Sequence, residues 1–125
     1  MIRILAYRFS AFGDVAMTAP VFREVLEQNP DLEIVLVSRN NFRDLFEGIP
    51  NLIFKGIDID DYKGFFGMRK LSNELIKEFN PDFIADLHNV IRTKILDTIF
   101  KKRGFKISVL DKGKEEKEQL TDIWK

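Results

Sequence analysis

Arg8, Ser10 and Asp14 bring a guanidinium, a hydroxyl and a carboxylate around one glycine, Gly13, in the run Arg8-Phe-Ser-Ala-Phe-Gly-Asp14. A carboxylate in such a turn can act as a general base, taking the proton of an attacking hydroxyl. It can equally be a helix cap that accepts orphan backbone N–H groups and matches the helix dipole, a role open to Ser10 as well. The local pattern leaves both readings open. A second group follows at Asp86, His88, Asn89 and Arg92: carboxylate, imidazole, amide and guanidinium. His88 is the sole histidine of the chain. A single histidine more often completes a hydrogen-bonded structure than acts as base or ligand. Asp86 and His88 alternate along a strand end, so they point to opposite sides unless the strand has already turned.

Other chemistries find no support. Gly13 is the only glycine of its turn, so neither the dinucleotide pattern G-x-G-x-x-G nor the phosphate loop G-x-x-x-x-G-K-[ST] is present. Asp58, Asp60 and Asp61 lack the glycine and distant glutamate of a calcium loop and are expected to solvate a flexible connection. The basic run Lys101-Lys-Arg103 falls at a helix end, where cations are favourable in any case. Arg69 and Lys70 follow a glycine-bearing connection. As a mobile basic loop they would suit a phosphorylated, lipid-anchored sugar.

The elements that must position these groups alternate. Ile2, Ile4, Leu5 and Ala6 make a short apolar strand, and from Val15 the apolar residues recur at helical spacing through Leu26. Pro20 implies either a kink or a helix whose regular part is capped by Thr18. Residues 33–38 form the clearest strand, 40–47 a short helix closed by Gly48, and 52–54 a brief third strand. A long connection over 56–67 leads to a helix over 68–79. A strand over 82–86, a helix over 89–102 and a strand over 106–110 complete the series. Such alternation predicts an α/β fold, a Rossmann-like parallel sheet with helices on both faces. Ile4, Val35, Leu36, Ile84 and Ile107 should be buried in it. In sheets of this kind ligands bind at the carboxyl ends of the strands. With strands one and four adjacent, Arg8, Ser10, Gly13, Asp14, His88, Asn89 and Arg92 gather on one edge. Backbone N–H groups at the start of the Asn89 helix would favour a phosphate or carboxylate there.

Composition narrows the partners. The 125 residues carry 20 basic and 20 acidic side chains, so no net field argues for nucleic acid. No cysteine is present, which removes disulfides and thiolate metal sites. No secretory signal pattern and no apolar run of membrane-spanning length is visible, so any membrane contact would be peripheral.

The stretch from Ile4 to Arg23 resembles the opening of the lipopolysaccharide heptosyltransferases, glycosyltransferase family 9. The family pattern R-x-S-A-x-G-D-V-x-x-x-x-P-x-x-R is met by Arg8, Ser10, Ala11, Gly13, Asp14, Val15, Pro20 and Arg23. Asp86-Leu-His-Asn-Val-Ile-Arg-Thr93 is similar to the family's D-L-x-G-x-x-R-S, with Asn89 in place of glycine and Thr93 in place of serine. Asp111-Lys-Gly-Lys-Glu-Glu-Lys117 is similar to the family's K-G-[RK]-x-x-K. The resemblance implies the amino-terminal, acceptor-side half of a GT-B enzyme. Asp14 would be the general base in an inverting displacement on a nucleotide sugar, ADP-heptose or another. Arg8, Ser10, Gly13, His88, Asn89 and Arg92 would serve substrate binding. It implies no cofactor and no metal, a lipid-anchored saccharide acceptor, and a cytoplasmic place at the inner face of the inner membrane.

The expected division is a Rossmann-like domain over 1–110 and a charged segment over 111–125 leading into a missing donor-binding remainder. Trp124, apolar in a polar tail, also points to a chain cut short. A piece of this kind is expected to bind no nucleotide sugar usefully and to transfer nothing alone. The competing reading is a non-catalytic α/β module that binds an anion at the same turn. A phosphoacceptor domain is disfavoured, because Arg8 and Phe9 stand where its acidic pair would lie.

Overall fold

A computed structural model describes residues 1–109, which form one α/β unit. Leu110, the segment 111–125 and Trp124 lie outside the described residues, and so do the expectations placed on them. Five strands run β1 (Ile2–Tyr7), β2 (Leu32–Arg39), β3 (Leu52–Ile57), β4 (Phe83–Asp86) and β5 (Lys106–Val109). Three helices join them: α1 (Phe12–Gln28), α2 (Gly64–Phe79) and α3 (Ile91–Lys102). Two 3-10 segments, Asn40–Phe46 and Ile59–Asp61, complete the connections.

The sheet is wholly parallel in the order β3-β2-β1-β4-β5. Leu5 pairs with Val35 on one side and Ile84 on the other, and Ile84 pairs with Ile107. This is the doubly wound order, and the crevice of such a sheet opens where strand order reverses, between β1 and β4. Strand alternation feeds two cores. Ile4, Ala6, Ile34 and Leu36 pack with Phe22, Val25 and Leu26 of α1. Leu5, Tyr7, Val35 and Val37 pack with Leu71 and Leu75 of α2 and Leu96 and Phe100 of α3. Ile4, Val35, Leu36 and Ile84 are fully buried as the sequence predicts. Ile107 is only partly buried, because β5 is the outer strand among the described residues.

Several boundaries shift for physical reasons. α1 starts at Phe12, ahead of Val15, and Pro20 lies inside it. Thr18 does not cap it: the buried hydroxyl donates to the Val15 carbonyl at 2.6 Å. α2 starts at Gly64, so the glycines at 64 and 67 are not both loop residues. Gly64 takes a left-handed φ of 67°, whereas Gly67 is helical and bare because a Cβ there would stand 2.2 Å from the Tyr62 carbonyl carbon. Arg69 and Lys70 therefore sit on a helix and not on a mobile loop, and the Lys70 ammonium lies 5.4 Å from the Tyr62 ring centre. The Tyr62 hydroxyl donates to Glu74 at 2.6 Å, and desolvation followed by that bond pushes its pKa up to about 12. Asp58 accepts from the Asp60 N–H at 3.0 Å and so starts the short 3-10 turn. β3 extends to Ile57, which shortens the expected connection. Lys101 and Lys102 close α3, where its dipole favours cations.

Candidate functional site

The β1–α1 loop holds Asp14 without using it as a cap. Ala11 is the N-cap residue and makes no side-chain bond, so neither Ser10 nor Asp14 plays that part. Asp14 sits in the first helical turn, where a negative charge suits the dipole. Its side chain is 65% exposed, with Oδ2 3.2 Å from Arg8 Nη2. The Arg8 side chain is only 12% exposed. Its Nε donates to the Ser10 carbonyl at 3.1 Å and its Nη1 to the Leu87 carbonyl. The end of β2 fixes the same loop: Ser38 Oγ donates to the Arg8 carbonyl at 2.6 Å and Arg39 Nε to the Phe9 carbonyl at 2.8 Å. Arg8 thus holds Asp14 and ties two loops together.

The β4–α3 turn is built on a buried carboxylate. Asp86 Oδ1 accepts the backbone N–H of His88 at 2.9 Å and of Asn89 at 2.8 Å. The strand has turned before His88, which brings the ring over to the β1–α1 loop. Its Nδ1 accepts the Phe9 N–H at 3.4 Å, and its Nε2 lies 3.3 Å from Ser10 Oγ. Desolvation, then the charge of Arg8, lowers the His88 pKa, with Asp86 opposing. A neutral ring that accepts at Nδ1 carries its proton on Nε2. His88 in this state therefore donates to Ser10 and has no lone pair at Nε2 for an incoming proton.

α3 begins at Ile91, not at Asn89. Asn89 takes a left-handed φ of 52°, a conformation that asparagine tolerates better than most residues. Val90 is the N-cap and has no side-chain oxygen to offer; Thr93 Oγ1 instead accepts the Val90 N–H at 2.9 Å.

Between these loops and the start of α2 lies a cavity of about 810 Å³. Ser10, His88, Asn89, Arg92 and Lys94 line it from one side, Gly64 and Met68 from the other. Exposed Ile91 of α3 is also on its wall, and Phe65 and Phe66, which follow Gly64 on α2, are exposed. Arg8, Gly13 and Asp14 are not on its wall; Asp14 connects to it through Arg8. A Cβ added to Gly13 would meet nothing within 4 Å. Arg69, Lys70 and the 101–103 run do not line the cavity either. Sequence reasoning passed over Lys94, although Ile91, Lys94 and Ile95 share a helix face by their spacing. It also passed over Ser38 and Arg39, whose role depends on a cross-strand approach that no local pattern encodes. The whole arrangement pairs an exposed carboxylate that can take a proton with hydroxyl and cationic groups that can hold a polar, anionic ligand.

No family model and no curated protein matches the sequence. Solved structures do match. A glycosyl transferase family 9 structure from Veillonella parvula superposes with a TM-score of 0.75 at 21% identity, over 98% of this chain and 41% of that one. The E. coli heptosyltransferase WaaC, solved with ADP-2-deoxy-2-fluoro heptose, gives 0.67 at 14%, over 98% and 40%. The E. coli ADP-heptose heptosyltransferase II gives 0.62 at 20%, over 90% and 36%. The chain is similar in fold to the family 9 glycosyltransferases. It spans about two fifths of the length of these structures.

The family 9 patterns read from the sequence fall together in this fold. The Arg8–Asp14 motif and the Asp86–Thr93 motif occupy neighbouring strand ends, β1 and β4. The left-handed φ at Asn89 also accounts for the residue type, since the family 9 pattern has glycine there and glycine adopts that conformation freely.

Proposed function

We propose that the chain is the acceptor-side part of a sugar transferase of the heptosyltransferase kind. Asp14 takes the proton of an acceptor hydroxyl as that oxygen attacks the anomeric carbon of a nucleotide sugar, ADP-heptose or a close relative. The nucleoside diphosphate leaves with the bonding pair, and one direct displacement inverts the carbon. The acceptor is a lipid-anchored saccharide met at the inner face of the cytoplasmic membrane, and neither metal nor cofactor takes part. The donor is held mainly by the part of the protein that this chain lacks.

The observation that carries this reading is the contrast around Arg8. Its buried guanidinium holds Asp14 Oδ2 at 3.2 Å, while the carboxylate stays mostly in solvent. A cap would turn its oxygens onto the helix; this one faces outward and remains ready to accept a proton. Ser10, His88, Asn89 and Arg92 line the adjacent cavity, where hydroxyls and phosphates of an acceptor would be bound. General-base catalysis is worth about 10²–10⁴-fold.

The test is a transfer assay on the full-length protein with ADP-sugar donors, comparing wild type with Asp14→Asn. Asparagine keeps size and polarity but takes no proton at neutral pH. The expected loss in kcat is about 10²-fold or more at nearly unchanged acceptor KM and melting temperature. A folded variant within about threefold of wild type removes Asp14 from the chemistry. Calorimetry of the 125-residue chain with ADP-sugars is expected to show no useful binding. Tight binding there would move the donor site onto this domain.

A further inference from the structure

Beneath the cleft, three polar side chains are enclosed by the core. Tyr7 at the end of β1 is wholly buried, its ring stacked 6.3 Å from Phe9 and 6.2 Å from Phe100. Asp86 at the end of β4 is fully buried, and Asp97 in the middle of α3 is 6% exposed. The Tyr7 hydroxyl donates to Asp97 Oδ1. Asp86 gives Oδ1 to the His88 and Asn89 N–H groups, which leaves its buried Oδ2 without a donor from any N–H or hydroxyl of the described residues. Asp97 lies within hydrogen-bonding reach of Asp86. Two touching carboxylates largely withdrawn from solvent resist ionising together, and a buried acceptor without a donor is costly.

We propose that Asp97 is the protonated partner of this pair, that its Oδ2–H donates to Asp86 Oδ2, and that this proton together with Tyr7 holds the His88–Asn89 turn in position beside the cleft. Asp97 and Tyr7 are then positioning residues that act through Asp86. One proton completes the set: Tyr7 O–H serves Asp97 Oδ1, Asp97 O–H serves Asp86 Oδ2, and Asp86 Oδ1 serves two backbone amides.

The electrostatics agree. Burial first, then the bond to Asp86, raises the Asp97 pKa to about 8 against the opposing bond from Tyr7. Burial, then the charge of Asp97, raises the Tyr7 pKa well above its usual value, so its hydroxyl stays a donor. Lys94 and Lys101 of α3 line a small cavity with Asp97, and Lys101 favours its ionisation; β5 brings only Val109 to that cavity. From the other side Asp86 is faced by His88, which in turn feels Arg8, Arg92 and Arg39. The unfolded chain releases the Asp97 proton near 3.8, and the folded chain keeps it to about 8. The stability this group contributes is therefore fully present below the lower value and is lost as pH rises through the upper one.

That the turn serves sugar transfer rests on the reading above; the shared proton does not. The test is a carboxyl-carbon NMR titration of the 125-residue chain, with the His88 and Asn89 amide shifts followed in the same samples. The Asp97 carboxyl is expected to titrate near pH 8, with both amides inflecting at the same midpoint. In Asp97→Asn the side-chain amide donates where the acid did, so both amides should hold their low-pH positions across the range. In Tyr7→Phe the midpoint should move up, because the opposing bond is gone. The proposal is overturned by an Asp97 that titrates in the ordinary carboxylate range, by amides that still inflect near pH 8 in Asp97→Asn, or by a Tyr7→Phe midpoint that falls. No substrate enters the measurement. An inactive transferase leaves the shared proton standing, and a flat titration leaves the transfer assay standing.

Discussion

Asp14, in the first turn of the helix after β1, and Asp86, at the end of the adjacent β4, each lie in a motif that resembles family 9, yet they are set for opposite work. Asp14 follows β1, is mostly in water, and touches one guanidinium at 3.2 Å. Asp86 ends β4, is fully buried, and accepts two backbone N–H groups. The residue type is the same and the sheet edge is shared, while backbone setting and solvation differ. A carboxylate in water costs the fold little and can exchange a proton with a ligand. A carboxylate in the core must be satisfied on every side, and its value lies in the backbone it bends.

The largest effect expected from breaking this contrast is at Asp86. Asp86→Ala strips two backbone donors and the Asp97 acid of their partner at once, and should destabilise the chain by about 3–5 kcal/mol. Asp14→Ala should cost under about 1 kcal/mol, since the carboxylate it removes is mostly in water and Arg8 keeps its bonds to two carbonyls. Urea unfolding of the two variants measures both numbers, and equal losses would erase the distinction. Next comes the kinetic side, where Asp14→Asn should lower kcat by about 10²-fold without a matching change in melting temperature.

Gly13, next to Asp14, carries a smaller effect. It is a helical residue with open space where a Cβ would go, so Gly13→Ala should stabilise the isolated chain by up to about 1 kcal/mol. Transfer by the full-length protein should nevertheless fall if Asp14 is the base proposed above, because that space lies beside it. Stabilisation with undiminished transfer would make this glycine irrelevant to the site. The smallest effect expected is at His88. Its pKa is lowered in the folded state, so the stability it contributes is present above its ordinary value of 6.5 and is lost as pH falls through the folded value. Asp97 works in the other direction over the same range. The measurement is therefore the difference in unfolding free energy between wild type and His88→Gln as pH is lowered. That difference should shrink by a fraction of a kcal/mol, since the ring is half exposed.

Much of the architecture was legible in the sequence because periodicity is a local signal. The apolar runs around Ile4, Val35 and Ile84 marked covered parallel strands, and the Asp14 and His88 groups fell on the expected edge. What escaped was decided across the chain. Gly67 reads as a loop residue until Tyr62 is found against its bare backbone. Asn89 reads as the first residue of a helix, yet its backbone is left-handed because Asp86 reaches forward to it. The buried trio of Tyr7, Asp86 and Asp97 draws on three elements, and no spacing rule joins positions so far apart in sequence. Arg8 reads as a group for ligands; its burial, its bonds to the Ser10 and Leu87 carbonyls and its pairing with Asp14 tie it into the scaffold as well.

That grip by Arg8 has a mechanical consequence. A single planar group bridges the ends of β1 and β4, and β2 adds two further ties to the same loop. One wall of the cavity is in effect a fixed jaw. The opposite wall, at Gly64 and Met68, starts a helix whose first residue has a left-handed backbone and whose next two side chains are exposed. Of the two walls, the one that begins at Gly64 has the freer backbone, with open space around the glycine. Hydrogen exchange should then protect the Phe9 amide and release that of Phe65 early, and the reverse order would assign the moving jaw to the other wall.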